Sequence, residues 1–285
     1  MKKTWSIIFS TLGIAFLVIT LFKHVPESKP TFREEAASQE SNRNNEQVVE
    51  FWELYNKATD LRIAGNYQKA AKYYRGALQK DREHLNTIYY LGSMELALDH
   101  FEKAEKRWHS LIDQNPASAR GHVQLGTIYS CRRPDNSLFD LTKAARHFEK
   151  ASSLNREITG PLLQLAKINI LKRRYAEAEQ RLQEVTQSNF RSLEGFFLRG
   201  YLAWKAGNTA DAQRHLDQSR SIAKGSEKFA NVGEGTTNSG EDPMFDETGR
   251  CALFSSEIHS LLTTNRSRSI TERYRQFEDK LDAYN

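Results

Sequence analysis

Phe101 lies 34 residues after Tyr67, and Ala104 lies 34 after Ala70. A recurrence of that length marks one supersecondary unit used several times over. A single such unit cannot bury its apolar face, so the copies must stack. The pattern G-x-Y/F-x-x-A-x-x-x-Y/F/W-x-x-A/L is met first by Gly65, Tyr67, Ala70, Tyr74 and Ala77. A second unit supplies Gly92, Phe101, Ala104, Trp108, Leu111 and Pro116, and a third Leu125, Gly126, Tyr129, Leu141, Ala144, Phe148 and Ala151. The third carries about six extra residues, CRRPDN, between its helices. A fourth gives Leu165, Ala166, Tyr175, Ala178, Leu182 and Val185, and a fifth Gly200, Gly207, Ala212, Leu216 and Ser219.

The residue types have a physical reason. Two antiparallel helices meet at a tight turn, so small residues stand where backbones approach: Gly92, Gly126 and Gly200 in first helices, Ala70, Ala104, Ala144, Ala178 and Ala212 in second helices. Tyr74, Trp108 and Phe148 then fill the gap to the neighbouring unit. These side chains build a shared core and carry no chemistry. Period and pattern resemble the tetratricopeptide repeat family over about Phe51 to Lys224. Arg82 and Arg156 depart from the family where a closing proline is usual, and Thr209 replaces an aromatic. The resemblance implies an all-α fold, a right-handed solenoid of about five helical hairpins.

It also implies a groove lined by first helices, at whose inward positions partners bind. In this chain those positions hold Trp52, Tyr55, Thr59, Arg62 and Ile63, then Asn86, Tyr89 and Ser93, then Arg120, Val123, Thr127 and Ser130. The fourth and fifth units add Leu163, Lys167, Ile170, Glu194, Phe197, Tyr201, Trp204 and Lys205. The expected partner-binding set is Trp52, Tyr55, Arg62, Tyr89, Arg120, Lys167, Phe197, Tyr201 and Trp204. Tyr55 and Thr59 stand where the family's two-carboxylate clamp has Lys and Asn, which argues against a C-terminal carboxylate ligand. Aromatic rings offer a large contact area at low entropic cost and suit protein partners, or packing within the stack itself.

The chain divides into segments 1–24, 25–47, 48–224, 225–250 and 251–285. Trp5 to Phe22 carries no charge. As a helix that run is about 27 Å long, close to bilayer thickness. Lys2 and Lys3 precede it, and neither an A-x-A site nor a lipid-accepting cysteine follows. The segment 1–24 reads as an uncleaved signal anchor and transmembrane helix. Lys23, Lys29 and Arg33 follow the span and nearly balance the positive-inside count; the short basic head favours export of the body, which in a bacterium is the periplasmic side. Segment 25–47 is polar and reads as a spacer.

Segment 225–250 is rich in glycine and acids and reads as a loop. Its Glu234, Asp242, Asp246 and Glu247 do not match a calcium loop, and no metal site is expected. Two helical stretches follow. The last carries Ile270, Tyr274, Phe277, Leu281 and Tyr284 on one face and opens with a Ser269–Glu272 capping box. That face can cap the fifth unit, fold into the groove or bind a partner; a solenoid end needs cover, which favours the cap. Cys131 and Cys251 are the only cysteines, and an exported body permits a disulfide between them.

The net charge of +5 comes from 41 basic against 36 acidic residues mixed along the same helices, a solvated surface rather than a nucleic-acid footprint. The eight histidines are scattered, and neither C-x-x-C, G-x-S-x-G nor a phosphate loop occurs. An enzyme, a cofactor and a small-molecule substrate therefore find no support. The expected function is a membrane-tethered scaffold that binds a segment of a protein partner, for instance in envelope assembly. The alternative is a structural or regulatory subunit docked through its convex face or terminal helix. A third and weaker reading puts catalysis in the C-terminal segment.

Overall fold

The computed structural model describes residues 32–230, 251–263, 269–282 and 284. Every regular element among them is a helix: α1 (Phe32–Ile63), α2 (Tyr67–Lys80), α3 (Leu85–Ala97), α4 (Phe101–Gln114), α5 (Ala119–Ser130), α6 (Leu141–Leu154), α7 (Gly160–Leu171), α8 (Tyr175–Ser188), α9 (Leu193–Lys205), α10 (Thr209–Ala230), α11 (Ser255–Thr263) and α12 (Ile270–Asp282). The chain forms two compact units, Met1–Val49 and Glu50–Asn285. In the first, the described backbone is helical from Phe32, so the polar stretch read as a spacer is helix over that part. The predicted anchor over 1–24 lies outside the described residues, among which no helix is long and apolar enough to cross a membrane. The predicted loop 225–250 is helical to Ala230, and its remainder also lies outside them.

In the second unit, consecutive helices from α2 to α10 pack on one another in chain order. Helix starts are fixed by side chains that accept from otherwise unpaired amides. Asp140 accepts from Thr142 N and Lys143 N at 2.8 and 3.0 Å, Ser118 from Gly121 N at 3.2 Å, and Ser192 from Gly195 N at 3.2 Å. In four of the five hairpins the turn takes a left-handed residue. Gly65 and Gly207 supply it without cost at φ +72° and +79°, whereas Asp99 and Arg173 adopt φ +60° and +56° against steric resistance. The insertion in the third unit is ordered by Asn136, which is buried and donates to the carbonyls of Ile128 (2.9 Å) and Cys131 (2.7 Å).

The core runs along the stack. Gly92 lies so close to Trp108 that a Cβ would overlap the indole, and Gly126 stands in the same relation to Phe148. Trp108, Phe148, Ala104 and Ala144 are fully buried. The repeat positions singled out in the sequence are thus the sites of closest approach, and the helical spacing of the apolar residues holds throughout.

Candidate interaction face

The C-terminal helices decide which part of the first-helix face is available. Cys251 is joined to Cys131 at the end of α5. Four residues further on, Ser255 Oγ accepts from Lys167 Nζ of α7 at 2.9 Å, and the Phe254 ring lies 5.5 Å from that ammonium. α11 then packs on α9 and α10, and α12 packs on α9 and α11. Ser269 and Glu272 form the expected capping box, with Glu272 N donating to Ser269 Oγ at 3.2 Å and Ser269 N to Glu272 Oε2 at 3.0 Å. The apolar face of α12 is buried: Tyr274 and Phe277 are fully covered, and Leu281 nearly so.

The partner of that face is the fifth repeat. Phe277 meets Phe197 and Tyr201 at ring-centroid distances of 5.1 Å each, and Tyr274 meets Phe197 at 5.3 Å and Trp204 at 6.0 Å. Tyr274 also fills the space over Gly200, where a Cβ would strike its hydroxyl. In the second and third repeats an aromatic of the same repeat, Trp108 or Phe148, covers the corresponding glycine. In the fifth the equivalent residue is Leu216, which is too short, and the tail contributes the missing ring. The tail therefore completes the core of the fifth repeat and spans the first-helix face from the third repeat to the fifth, which is more than a cap.

Three expected partner-binding residues are consequently internal, and a fourth, Trp204, is half-buried against the tail. Phe197 and Tyr201 are 0% and 1% exposed, and Trp204 packs on Tyr274. Lys167 is 0% exposed and pairs with Glu194 at 2.6 Å. Burial alone would raise the Glu194 carboxyl, but the Lys167 charge and the hydrogen bonds from Lys167 and Ser255 outweigh it and hold it below the usual range. Lys205 is likewise engaged, 2.5 Å from Glu278 of α12. Their inward positions were legible in the sequence, but a chain segment distant in sequence occupies the space in front of them.

The first three repeats differ. Trp52 is 46% exposed and stands in a ring cluster with Phe51, Tyr55 and His84: Trp52–Tyr55 centroids are 5.6 Å apart, and His84 lies 4.7 Å from Phe51 and 5.4 Å from Tyr55. His84 is fixed as the cap of α3, its Nδ1 accepting from Thr87 N at 3.2 Å. Arg62 lies 4.4 Å over the Tyr90 ring and Arg120 4.5 Å over the Tyr89 ring, cation–π contacts that hold both guanidinium groups against the stack. Arg120 also donates to Asn86. Tyr89 is buried, contrary to its expected role as a contact residue; it accepts from Gln124 at 2.9 Å and forms the floor beneath Arg120. Phe51 and His84 were not singled out in the sequence, because their contact joins helices that only the stacking brings together. Among the described residues no three His, Cys, Asp or Glu side chains are arranged to hold a metal ion.

Stacked helical hairpins with small residues at the crossings and side-chain contacts in place of reactive groups define a repeat solenoid. Residues 61–124 match the model of the tetratricopeptide repeat family. Among solved structures the chain is similar to MamA, with a TM-score of 0.51 and 15% identity over 60% of this chain and 96% of that one. It is similar also to MamA 41-end from Desulfovibrio magneticus RS-1, with a TM-score of 0.52 and 10% identity over 62% and 96%. At such identities the likeness shows the fold, an all-α solenoid of tetratricopeptide type. No curated protein matches the sequence.

Proposed function

We propose that this chain is a membrane-tethered, exported scaffold that holds a segment of a protein partner against the first-helix face of its N-terminal repeats. The repeat type supports the scaffold role, and the uncharged run Trp5 to Phe22 behind Lys2 and Lys3 supports the tether. The observation that carries the reading is the contrast in coverage: Trp52 is 46% exposed within an aromatic cluster, while Glu194, at the equivalent position of the fifth repeat, is paired with buried Lys167 and its inward neighbours Phe197 and Tyr201 are sealed by the tail. Exposed tryptophan beside tyrosine and arginine is the composition of binding hot spots. A competitor for the sealed half would face a tethered occupant present at an effective concentration on the order of millimolar, and this one is covalently joined as well. The disulfide between Cys131 and Cys251 agrees with an oxidising, exported compartment.

Photoreactive residues at Trp52 and at Trp204 test the reading in cells. Cross-links to another protein from Trp52, and to the chain's own α12 from Trp204, are expected. Partner cross-links from Trp204 alone would overturn it. A second reading, a subunit held in a larger complex, is favoured by the sealed C-terminal half, which frees the outer side of the tail for permanent docking. It predicts that the partner cross-links to α11 or α12 and not to Trp52.

A further inference from the structure

Three histidines scattered in the sequence meet in space. His109 comes from α4, His122 from α5 and His147 from α6. His122 Nδ1 and His147 Nδ1 are 3.0 Å apart, and the His147 ring lies 5.3 Å from that of His122 and 6.2 Å from that of His109. At 3.0 Å one ring must donate and the other accept, so the contact exists only while at least one imidazole is neutral. Two facing nitrogens do not hold a metal by themselves, and no group of three ligands is assembled here.

The surroundings make a second proton unwelcome. His122 is buried, and His147 is half-buried and stacked on Tyr129 with centroids 5.5 Å apart. His109 from α4 acts on both rings, and Lys150 from α6 and the Pro116 backbone act on His122; Tyr129 of α5, on which His147 stacks, is in turn faced by Glu105 from α4, Lys143 from α6 and Asp140 from the turn before it. Glu105 is committed to the Tyr129 hydroxyl at 2.6 Å, and His109 Nε2 lies 3.2 Å from the same hydroxyl oxygen. Burial, with the His122 and His109 rings adding to it, pushes His147 down to about 4; burial and the Lys150 charge lower His122. Both rings are neutral at pH 7.

We infer that His122 and His147 form an acid-released latch between the two helices of the third repeat, which loosens α5 from α6 when both rings take up protons. Because α5 carries Arg120, Val123 and Thr127 at inward positions, release changes the interaction face; that consequence alone rests on the scaffold reading. The sign follows from the lowered values. The latch is fully formed above the ordinary histidine pKa of about 6.5, and its contribution is lost as pH falls from there towards about 4.

Hydrogen exchange on the full chain in detergent reads the latch without any partner. After correction for intrinsic rates, protection of α5 and α6 amides is expected to fall about tenfold more than that of histidine-free α8 between pH 7.5 and 5.0. In His147→Gln, whose amide can still bond His122, the share due to His147 is removed and that excess should shrink severalfold, leaving what burial and Lys150 impose on His122. An equal fall in the wild type and the variant, or no excess fall in the wild type, overturns the latch. Should His147→Gln fail to fold, His147→Asn gives the same comparison. Loss of partner cross-links at Trp52 at neutral pH would instead count against the scaffold reading and leave the latch standing.

Discussion

The first two repeats and the last two are built on the same pattern and put to opposite uses. In the first, inward residues form a surface: Trp52 is exposed, and Arg62 sits over a tyrosine ring. In the last, inward residues form an interior. Phe197, Tyr201 and Lys167 lie beneath the C-terminal helices, and the charges there are matched, Lys167 with Glu194 and Lys205 with Glu278. A repeat therefore fixes where a side chain points but not what it meets. In this chain the difference is made by 32 residues from Cys251 to Asp282 that belong to no repeat, counted inclusively and with 264–268 outside the described set.

That contrast can be broken most severely at Tyr274. Tyr274→Ala removes the ring that replaces an intrinsic aromatic over Gly200 and should cost about 3–5 kcal/mol in a denaturant melt, concentrated in α7 to α12. Tyr274→Phe keeps the ring and discards a buried hydroxyl that has no hydrogen-bond partner among the described residues; it should be neutral or stabilising by about 1 kcal/mol. A Phe variant as damaged as the Ala variant would contradict the packing role. Cys251→Ser releases the tail covalently and should cost about 2–5 kcal/mol, with no additional effect of reductant on the variant.

Smaller effects sharpen the same comparison. Arg173→Gly relieves a left-handed arginine at the turn of the fourth repeat and should raise stability by about 0.5–1 kcal/mol, its 3.9 Å contact with Asp282 being exposed and weak. Trp52→Ala should move stability by no more than about 0.5–1 kcal/mol, since the ring is half in water. Its effect should appear in partner capture. A loss of several kcal/mol there would make Trp52 a core residue and remove the distinction between the two halves.

Much of the fold was legible because each unit repeats the constraint. Gly92 and Gly126 face Trp108 and Phe148 through backbone contact, and no other residue type fits. The Ser269–Glu272 box was legible for the same kind of reason, being settled within one helical turn. The course of the tail was not. An apolar face with Tyr274, Phe277 and Leu281 states that it must be buried, and says nothing of where. One signal was present. The second and third repeats pair glycine with an aromatic, the fourth pairs Ala166 with Leu182, but the fifth pairs Gly200 with Leu216 and leaves a hole. The histidine cluster was invisible in sequence because His109, His122 and His147 share no motif and meet only through the stacking of three helices.

A photoreactive residue at Phe197, followed by mass-spectrometric mapping of its cross-links in the full-length protein, asks directly whether the tail occupies the first-helix face. Tyr274 and Phe277 approach that ring to 5.3 and 5.1 Å, so cross-links should fall within α12 of the same chain. Capture of another protein at this position, with none to α12, would show that the face stands open and that the division between the two halves is wrong.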